Sequence, residues 1–188
     1  LEPGAILMCS RDEKQFPVQQ SNMVSLRPRH HSLIYAQDKE NITISGQGII
    51  EGQGNKHPYR VLHKNQDAPV IRPKIICMVR CKNIQIRDIY LRNSPSWMQN
   101  YLACEDLVIE GISVKSLVNH NNDGIDIDCC SRVRISNCDI NSGDDAIVLK
   151  ATAPKDCELI TINNCILRSR CNAFKLGTES TGGFRDIL

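Results

Sequence analysis

The chain repeats one pattern of hydrophobic and polar positions, with apolar residues at a starting position and two, five and seven residues after it. The pattern starts at Ile42, Ile84, Leu107, Val133 and Ile160. In the first segment, Gln47 puts a polar residue at one of these positions. Both halves of the pattern alternate with a period of two, which is typical of β-strands. Each segment is therefore predicted to form two short strands separated by a tight corner.

The corner and a third strand recur with the same spacing. The residue four positions after each start belongs to the small group that tolerates a left-handed backbone. These residues are Gly46, Asp88, Gly111, Asn137 and Asn164. A third apolar pair precedes the later units, at Ile125/Ile127, Ile147/Leu149 and Phe174/Leu176. Each unit is therefore predicted to contain three strands and at least one left-handed corner.

The length of the repeat indicates the fold. Successive starts lie 42, 23, 26 and 27 residues apart. Three short strands in such a length describe one rung of a parallel β-helix, whose rungs stack to bury apolar faces that isolated units would expose. The chain is therefore predicted to be all-β, a single parallel β-helix domain over residues 1–188. The longer first step predicts that the polar segment 54–73 is a loop that leaves the stack.

Two acidic motifs, Asn122-Asp123-Gly124 and Gly143-Asp144-Asp145, precede third strands on neighbouring rungs. Equivalent positions on successive rungs lie about 4.8 Å apart. Alignment of the strands puts Asp123, Asp145 and Asn172 in one column, and Asn122, Asp144 and Cys171 in the next. Three carboxyl groups are therefore expected on one patch, where like charges raise at least one pKa.

Several functions fit such a patch. Taken singly, each motif is typical of an ordinary turn. Together, the carboxyl groups suit a hard cation such as Ca²⁺, general acid and base chemistry, or sugar hydroxyl groups. Hydrolysis of a glycosidic bond with inversion needs two carboxyl groups about 6.5–9.5 Å apart, a separation that splayed side chains on adjacent rungs can provide.

The motifs NNDGIDI and SGDDAIVLK on this repeat resemble those of the polygalacturonase-type glycoside hydrolases, glycoside hydrolase family 28. LEPGA and ENITISGQGIIEGQG resemble early rungs of the same family. The resemblance implies a right-handed, single-stranded parallel β-helix that hydrolyses pectin-type polysaccharide with inversion and needs no metal or other cofactor. It implies that Asp144 is the general acid and that Asp123 and Asp145 hold and activate the water.

The chain departs from the family pattern at two motifs. The histidine of the family's Gly-His-Gly motif aligns with Asn172, which is predicted to bind substrate in its place, and the family's Arg-x-Lys motif would lie beyond Leu188. Lys150 and Lys175, at outward strand positions, are interpreted as substrate-binding replacements for part of that charge, although solvated lysines are equally typical there. His120 is a weaker replacement. Trp97 is a candidate to stack on a sugar, or else it packs under its turn.

Composition limits the partners. A net charge of +2 gives no argument for nucleic acid. No apolar run approaches the ~20 residues of a membrane helix. The ten cysteines lack the paired spacing of a zinc site, and Cys138 and Cys165 are interpreted as small reduced core residues. Disulfides elsewhere remain open.

The predicted partner is a polysaccharide, bound by a monomer, and the resemblance implies a secreted or periplasmic location. The β-helix is expected to be incomplete at both ends, as an internal piece of a longer enzyme. Two alternatives stay open at this point. One is a calcium-dependent β-helix pectate lyase, and the other is a carbohydrate-binding β-helix without catalytic activity.

Overall fold

A computed structural model describes residues 1–21, 23, 25, 29–56, 58–59 and 71–188. These residues form twenty strands and a short 3₁₀ helix, Glu13–Gln15. The strands are β1 (Ile6–Met8), β2 (Gln19–Gln20), β3 (Arg29–His30), β4 (Ser32–Gln37), β5 (Glu40–Ser45), β6 (Ile49–Glu51), β7 (Lys74–Val79), β8 (Lys82–Arg87), β9 (Tyr90–Arg92), β10 (Gln99–Leu102), β11 (Glu105–Glu110), β12 (Ser113–Ser116), β13 (Ile125–Asp128), β14 (Ser131–Ser136), β15 (Asp139–Ser142), β16 (Ile147–Ala151), β17 (Cys157–Asn163), β18 (Ile166–Ser169), β19 (Phe174–Ser180) and β20 (Phe184–Ile187).

The strands stack into three six-stranded parallel sheets. Sheet I has the order β1-β6-β9-β12-β15-β18, sheet II β4-β7-β10-β13-β16-β19, and sheet III β5-β8-β11-β14-β17-β20. Along the chain, each strand of sheet II leads to sheet III, then to sheet I, and then back to sheet II one rung further on. This winding is a right-handed parallel β-helix, which confirms the predicted fold. Strands β2 and β3 form a separate antiparallel pair.

The predicted left-handed corner lies between sheets III and I. Its φ angles are +118° at Gly46, +60° at Asp88, +66° at Gly111, +58° at Asn137 and +49° at Asn164. A Cβ atom on Gly111 would lie 2.7 Å from Oδ1 of Asp88, so a larger residue there would have to shift that side chain, whereas Asp88, Asn137 and Asn164 adopt the same backbone angle without glycine. The recurrence of one residue class at one position therefore identified a real structural column.

A second left-handed column lies inside the strands of sheet III and was not predicted. It consists of Asn41, Asn83, Asp106, Arg132, Leu159 and Asp186, with φ between +52° and +60°. The register of sheet III skips these positions, as in the step from Glu40↔Lys82 to Ile42↔Ile84. Arginine and leucine are unusual in this conformation, so residue type gives little indication of the column.

The template positions assigned to Gln47 and Ile49 are wrong. Ile50 rather than Ile49 pairs with Leu91, and Ile50 is fully buried. The carbonyl oxygen of Gly48 accepts a hydrogen bond from the backbone N–H of Tyr90, and a Cβ atom on Gly48 would lie 2.6 Å from Cβ of Leu1. The first corner is therefore one residue longer than the others, and glycine leaves room there for Leu1.

The core is one apolar column that runs inside the three sheets. Ile84, Leu107, Val133 and Ile160 stack in register on four rungs of sheet III. All ten cysteines are free thiols. Cys138 belongs to the core and Cys165 packs against it, as predicted for reduced interior residues.

The predicted loop 54–73 is described only in part, because residues 57 and 60–70 lie outside the described residues. Its described residues carry no strand. Tyr59 is fully buried beside Cys9 and Phe16, and its hydroxyl donates to the carbonyl oxygen of Ser10 at 2.7 Å. This part of the segment therefore packs on the chain's first turns. In the part of the chain that the structure describes, no helix is long and apolar enough to cross a membrane.

Candidate active site

The two acidic motifs lie side by side at the start of sheet II strands. Asp123 comes two residues before β13, Asp145 two residues before β16, and Asn172 two residues before β19. The backbone N–H of Gly124 donates to the carbonyl oxygen of Asp145 at 2.9 Å, and that of Ala146 donates to the carbonyl oxygen of Asn172 at 2.8 Å. The register of the parallel strands therefore places these three residues one above another, as the sequence predicted.

The side chains of Asp123 and Asp145 open into a cavity of about 240 Å³. Its walls are formed by Trp97, Asn121, Asp123, Asp144, Asp145, Lys150, Lys175, Gly177, Thr178 and Glu179. The three predicted carboxyl groups and three of the five predicted substrate-binding residues thus meet in one place. Asn121 directly precedes the first acidic motif, but it was not predicted to line the site, and neither were Glu179 and the Gly177–Thr178 segment of strand β19.

Asp145 is fixed by two donors. Nδ2 of Asn172 donates to Oδ1 at 2.7 Å, and Nζ of Lys175 donates to Oδ2 at 2.9 Å. Burial acts to raise the pKa of Asp145, but the hydrogen bonds from Asn172 and Lys175 outweigh burial and lower the pKa. Asp145 is therefore an ionised carboxylate in a set orientation, and Asn172, aligned with the family's histidine, supports it from outside the cavity wall.

Asp123, unlike Asp145, is held in its protonated form. It is 4% exposed, and its Oδ1 has no hydrogen-bond partner among the described residues. Burial and the neighbouring charge of Asp126 raise the pKa of Asp123 to about 9, against the attraction of Lys150. Asp144 and Asp145 raise it further. Asp123 therefore keeps a proton at neutral pH.

Asp144 is half-buried at the cavity wall. Its Oδ1 accepts a hydrogen bond from the backbone N–H of Asp145 at 3.1 Å. Its carbonyl oxygen accepts two hydroxyl donors at 2.6 Å, Ser142 from its own rung and Ser169 from the next. The backbone of Asp144 is therefore held on both sides, while its carboxyl group stays open to solvent.

Asn122, the first residue of the acidic triplet, fastens the loops around the site. Its Oδ1 accepts from the backbone N–H groups of Val118 and Asn119 at 3.1 and 2.8 Å. Its Nδ2 donates to the carbonyl oxygens of Ser94 and Ser96 at 2.9 and 3.0 Å. A fully buried side-chain amide thus uses its oxygen and nitrogen to join two loops, which explains why asparagine precedes Asp123.

Lys150 is buried, so the alternative that it is a solvated strand lysine is wrong. It is 5% exposed, and its Nζ lies 2.6 Å from Oδ1 of Asp126 and 3.8 Å from Oδ2 of Asp123. Burial acts to lower the pKa of Lys150, but the charges of Asp126 and Asp123 outweigh burial and raise the pKa. The outward face of sheet II is covered here, and the alternation of strand residues cannot reveal such a cover.

Trp97 is a wall of the cavity rather than an open platform. It is 7% exposed, and its ring centroid lies 3.6 Å from Nζ of Lys150 and 4.6 Å from Nζ of Lys74. Both distances are typical of cation–π contacts. The indole therefore packs within the protein and presents only a small part of its surface to the cavity.

His120 is not among the described residues that line the cavity. Its carbonyl oxygen accepts a hydrogen bond from Nη1 of Arg72 at 2.8 Å, and Nη2 of Arg72 donates to Oδ1 of Asn121 at 3.2 Å. Arg72 also donates to the carbonyl oxygen of Pro95 at 3.3 Å. The guanidinium group thus holds the loop that carries His120 and Asn121 against the cavity.

One group of potential metal ligands lies in the described site. Asp144, Asp145 and Cys171 offer ligand atoms that all lie within 4.8 Å of one another. Calcium prefers a shell of oxygen ligands. Here one ligand is a thiol, and Lys175 already pairs with Asp145. The residues present therefore do not fit a calcium site.

The winding of the chain and the three carboxyl groups in one cavity define a parallel β-helix protein with a cavity lined by carboxyl groups. Residues 12–168 match the model of the family described as Glycosyl hydrolases family 28. The chain belongs to this family, which confirms the resemblance.

Sequence relatives are named as polygalacturonases, and a solved structure shares the fold. The chain is 30% identical to a probable polygalacturonase of Vitis vinifera over 100% of the chain and 41% of that relative. It is 30% identical to a polygalacturonase of Juniperus ashei over 58% of the chain and 22% of the relative. Its fold matches an exopolygalacturonase of Thermotoga maritima with a TM-score of 0.85 at 22% identity, over 100% of this chain and 52% of that one. The chain thus spans about half the length, or less, of the proteins it matches.

Proposed function

We propose that the protein hydrolyses glycosidic bonds in a pectin-type polysaccharide, polygalacturonate or rhamnogalacturonan, with inversion at the anomeric carbon. The observation that carries this proposal is one cavity lined by Asp123, Asp144 and Asp145, in which Asp145 is ionised and held by two donors, as the base of an inverting hydrolysis must be. Family membership and the names of the relatives support the same reaction.

The three carboxyl groups divide the work. Asp144, open to solvent, protonates the leaving glycosidic oxygen as general acid. Asp145 is ionised and oriented, so it accepts the proton of the attacking water. Asp123 carries its own proton and holds the same water by hydrogen bonding. This assignment of roles keeps Asp144 as the general acid, as the family resemblance implies. It gives Asp145 and Asp123 roles that suit their charge states.

The lysines supply positive charge for an acidic sugar. Lys175 is at the cavity mouth, with 29% of its side chain exposed, and contacts a uronate carboxylate while it holds Asp145. Lys150 adds its charge from the buried side of the cavity. Asn172 orients Asp145, Trp97 contributes the apolar wall, and His120 contributes through its loop.

The experiment is the release of reducing ends from polygalacturonate and from rhamnogalacturonan by the full-length protein. Asp144→Asn removes the acid at nearly constant size and is expected to lower kcat by about 10²-fold or more. Asp139→Asn is the matched control, because Asp139 lies on the same rung and forms an exposed ion pair with Arg168. Activity in Asp144→Asn equal to that of the control would exclude the assignment.

The two alternatives are not favoured, because the family that matches is one of hydrolases. The lyase reaction leaves unsaturated products and needs calcium, so saturated products in the presence of a chelator exclude it. Retained binding without turnover would support the carbohydrate-binding alternative. The proposal extends to a secreted or periplasmic monomer, which light scattering on the purified protein and fractionation of cells would test.

A further inference from the structure

A buried pair of charges lies beside the cavity. Asp126 is on β13 and Lys150 is on β16, the next strand of sheet II. Asp126 is fully buried, and its Oδ1 lies 2.6 Å from Nζ of Lys150. The same ammonium group lies 3.8 Å from Oδ2 of Asp123 and 3.7 Å from Oε2 of Glu179. Of its three acidic neighbours, Lys150 thus lies closest to Asp126, which is buried away from the substrate.

Asp126 depends on this pair. Neither of its oxygens accepts a hydrogen bond of ordinary geometry from the described residues. An unbalanced carboxylate in the interior is costly, so the ammonium of Lys150 is the group that balances it. The ring of Trp97, 3.6 Å away, limits the space in which that ammonium group can move. Lys150 is therefore held among three carboxyl groups and is closest to Asp126.

Other charged groups face the pair from the neighbouring elements. Asp128 lies on the same strand, and Lys74 on β7 acts on the charge of Asp126. Asp144 and Asp145, in the loop before β16, act on Asp123. Burial raises the pKa of Asp126, while Lys150 and Lys74 oppose the rise. The protonation state of Asp123 therefore depends on the position of the Lys150 ammonium group.

We propose that Asp126 is a positioning residue that acts through Lys150, holding the ammonium group away from Asp123 so that Asp123 stays free to bind the attacking water. Without the charge of Asp126, Lys150 moves to Asp123 and pairs with it directly. Loss of the negative neighbour and gain of the positive one both favour ionised Asp123. This inference rests on the proposed function, because it takes Asp123 as a group of the reaction.

The direct test is the titration of Asp123 in the full-length protein without substrate, followed by NMR with ¹³C-labelled aspartate and assigned with Asp123→Asn. In Asp126→Asn, the titration midpoint of Asp123 is expected to fall by about 1 to 3 pH units. In Lys150→Met, which removes the positive charge, the midpoint is expected to rise. The opposite signs distinguish this arrangement from a general loosening of the site.

Asp128→Asn is the matched control. It makes the same chemical change two residues along the same strand, and the Asp128 carboxylate accepts from the backbone N–H and hydroxyl of Thr152 at 2.8 and 2.6 Å. Asp128→Asn is expected to lower stability and to leave the Asp123 midpoint in place. If Asp126→Asn behaves like this control, Asp126 has only a structural role and the proposal is overturned.

Kinetics provide a second readout. Asp126→Asn is expected to lower kcat about 10-fold or more and to change KM less than about twofold, because Asp126 cannot touch substrate. The limb of the pH profile that reports Asp123 moves to lower pH. If Asp126→Asn does not fold, an unchanged Asp123 midpoint in Lys150→Met overturns the proposal. The titration needs no substrate, so absent hydrolysis counts against the proposed function, whereas an absent shift counts against the positioning role.

Discussion

Asp123 and Asp145 occupy equivalent positions on adjacent rungs, yet the structure holds them in opposite charge states. Asp145 receives donors from Asn172 and Lys175, which favour its ionised form. Asp123 faces Asp126 across a buried site, which favours its protonated form. A column of identical side chains therefore becomes a set of different chemical groups through the neighbours that each rung adds.

The raised pKa of Asp123 lowers the free energy of unfolding at neutral pH, and this effect can be measured. Its folded-state pKa of about 9 is above the ordinary value, so the unfolded chain ionises first and stability falls as the pH rises from the ordinary aspartate pKa to about 9. Asp123→Asn avoids this cost. Its free energy of unfolding at pH 7 is expected to exceed that of the wild type by about 1 kcal/mol or more.

Denaturant unfolding at pH 7 and at pH 4 checks this prediction. The gain should shrink at pH 4, where the folded wild type keeps the proton and about half of the unfolded chains also bind it, and hydrolysis should be lost at every pH. A gain that is equal at the two pH values would show that packing, and not protonation, causes it.

At the scale of elements, the left-handed column of sheet III is held by side chains on successive rungs. Nδ2 of Asn83 donates to Oδ1 of Asn41 at 2.6 Å, and Nε of Arg132 donates to Oδ1 of Asp106 at 2.7 Å. Leu159 occupies the same column with φ of +55° and is 48% exposed. A leucine there has the strain of the conformation without a polar partner, so this rung carries a local weakness.

Leu159→Asn is expected to raise the free energy of unfolding by about 0.5–1 kcal/mol, because asparagine tolerates the left-handed backbone. Ile166→Asn is the control, since Ile166 is 58% exposed in a regular part of β18. The control should be neutral or destabilising, because asparagine is depleted in strands. Equal effects of the two changes in chemical denaturation would show that exposure, and not the backbone angle, determines the result.

The strands of the repeat show which parts of the candidate site can be predicted from the sequence. Alignment of the third strands predicted the column of Asp123, Asp145 and Asn172, because each of these residues precedes its strand by two positions and the parallel strands are in register. Spacing failed at Gly48, where the first corner has one extra residue. It also failed at Lys150 and Asp126, because the cover of an outward strand face comes from loops such as that of Trp97, which do not repeat.

At the scale of the molecule, the chain is a stack of rungs that buries its thiols without pairing them. Cys171 is exposed and Cys165 is half-buried, while the other eight cysteines are buried. A buried thiol reacts slowly because the reagent must reach it. This holds also for Cys81, although its hydrogen bond with Cys104 lowers the pKa of Cys81 to about 7. Export to an oxidising compartment, which we propose, is therefore compatible with ten reduced cysteines.

Thiol labelling of the native protein checks the arrangement. A water-soluble disulfide reagent is expected to modify Cys171 first and Cys165 more slowly, and to reach the others only after denaturation. Cys171→Ser removes the fast phase and serves as its assignment. Fast modification of the buried thiols in the native protein would contradict the stacking of the core.

The cavity takes Asp123, Asp145 and Lys175 from three successive rungs, and this sets when activity arises as the chain folds. A chain wound only as far as β16 already holds Asp123, Asp144 and Asp145 together, but Asp145 has neither Asn172 nor Lys175 beside it. Its charge is then unbalanced, and the site is not yet formed. The docking of β19 on β16 supplies both donors at once. Chains in which β19 has not yet docked are therefore expected to be inactive. Catalysis is expected to begin only after Asn172 and Lys175 have reached Asp145.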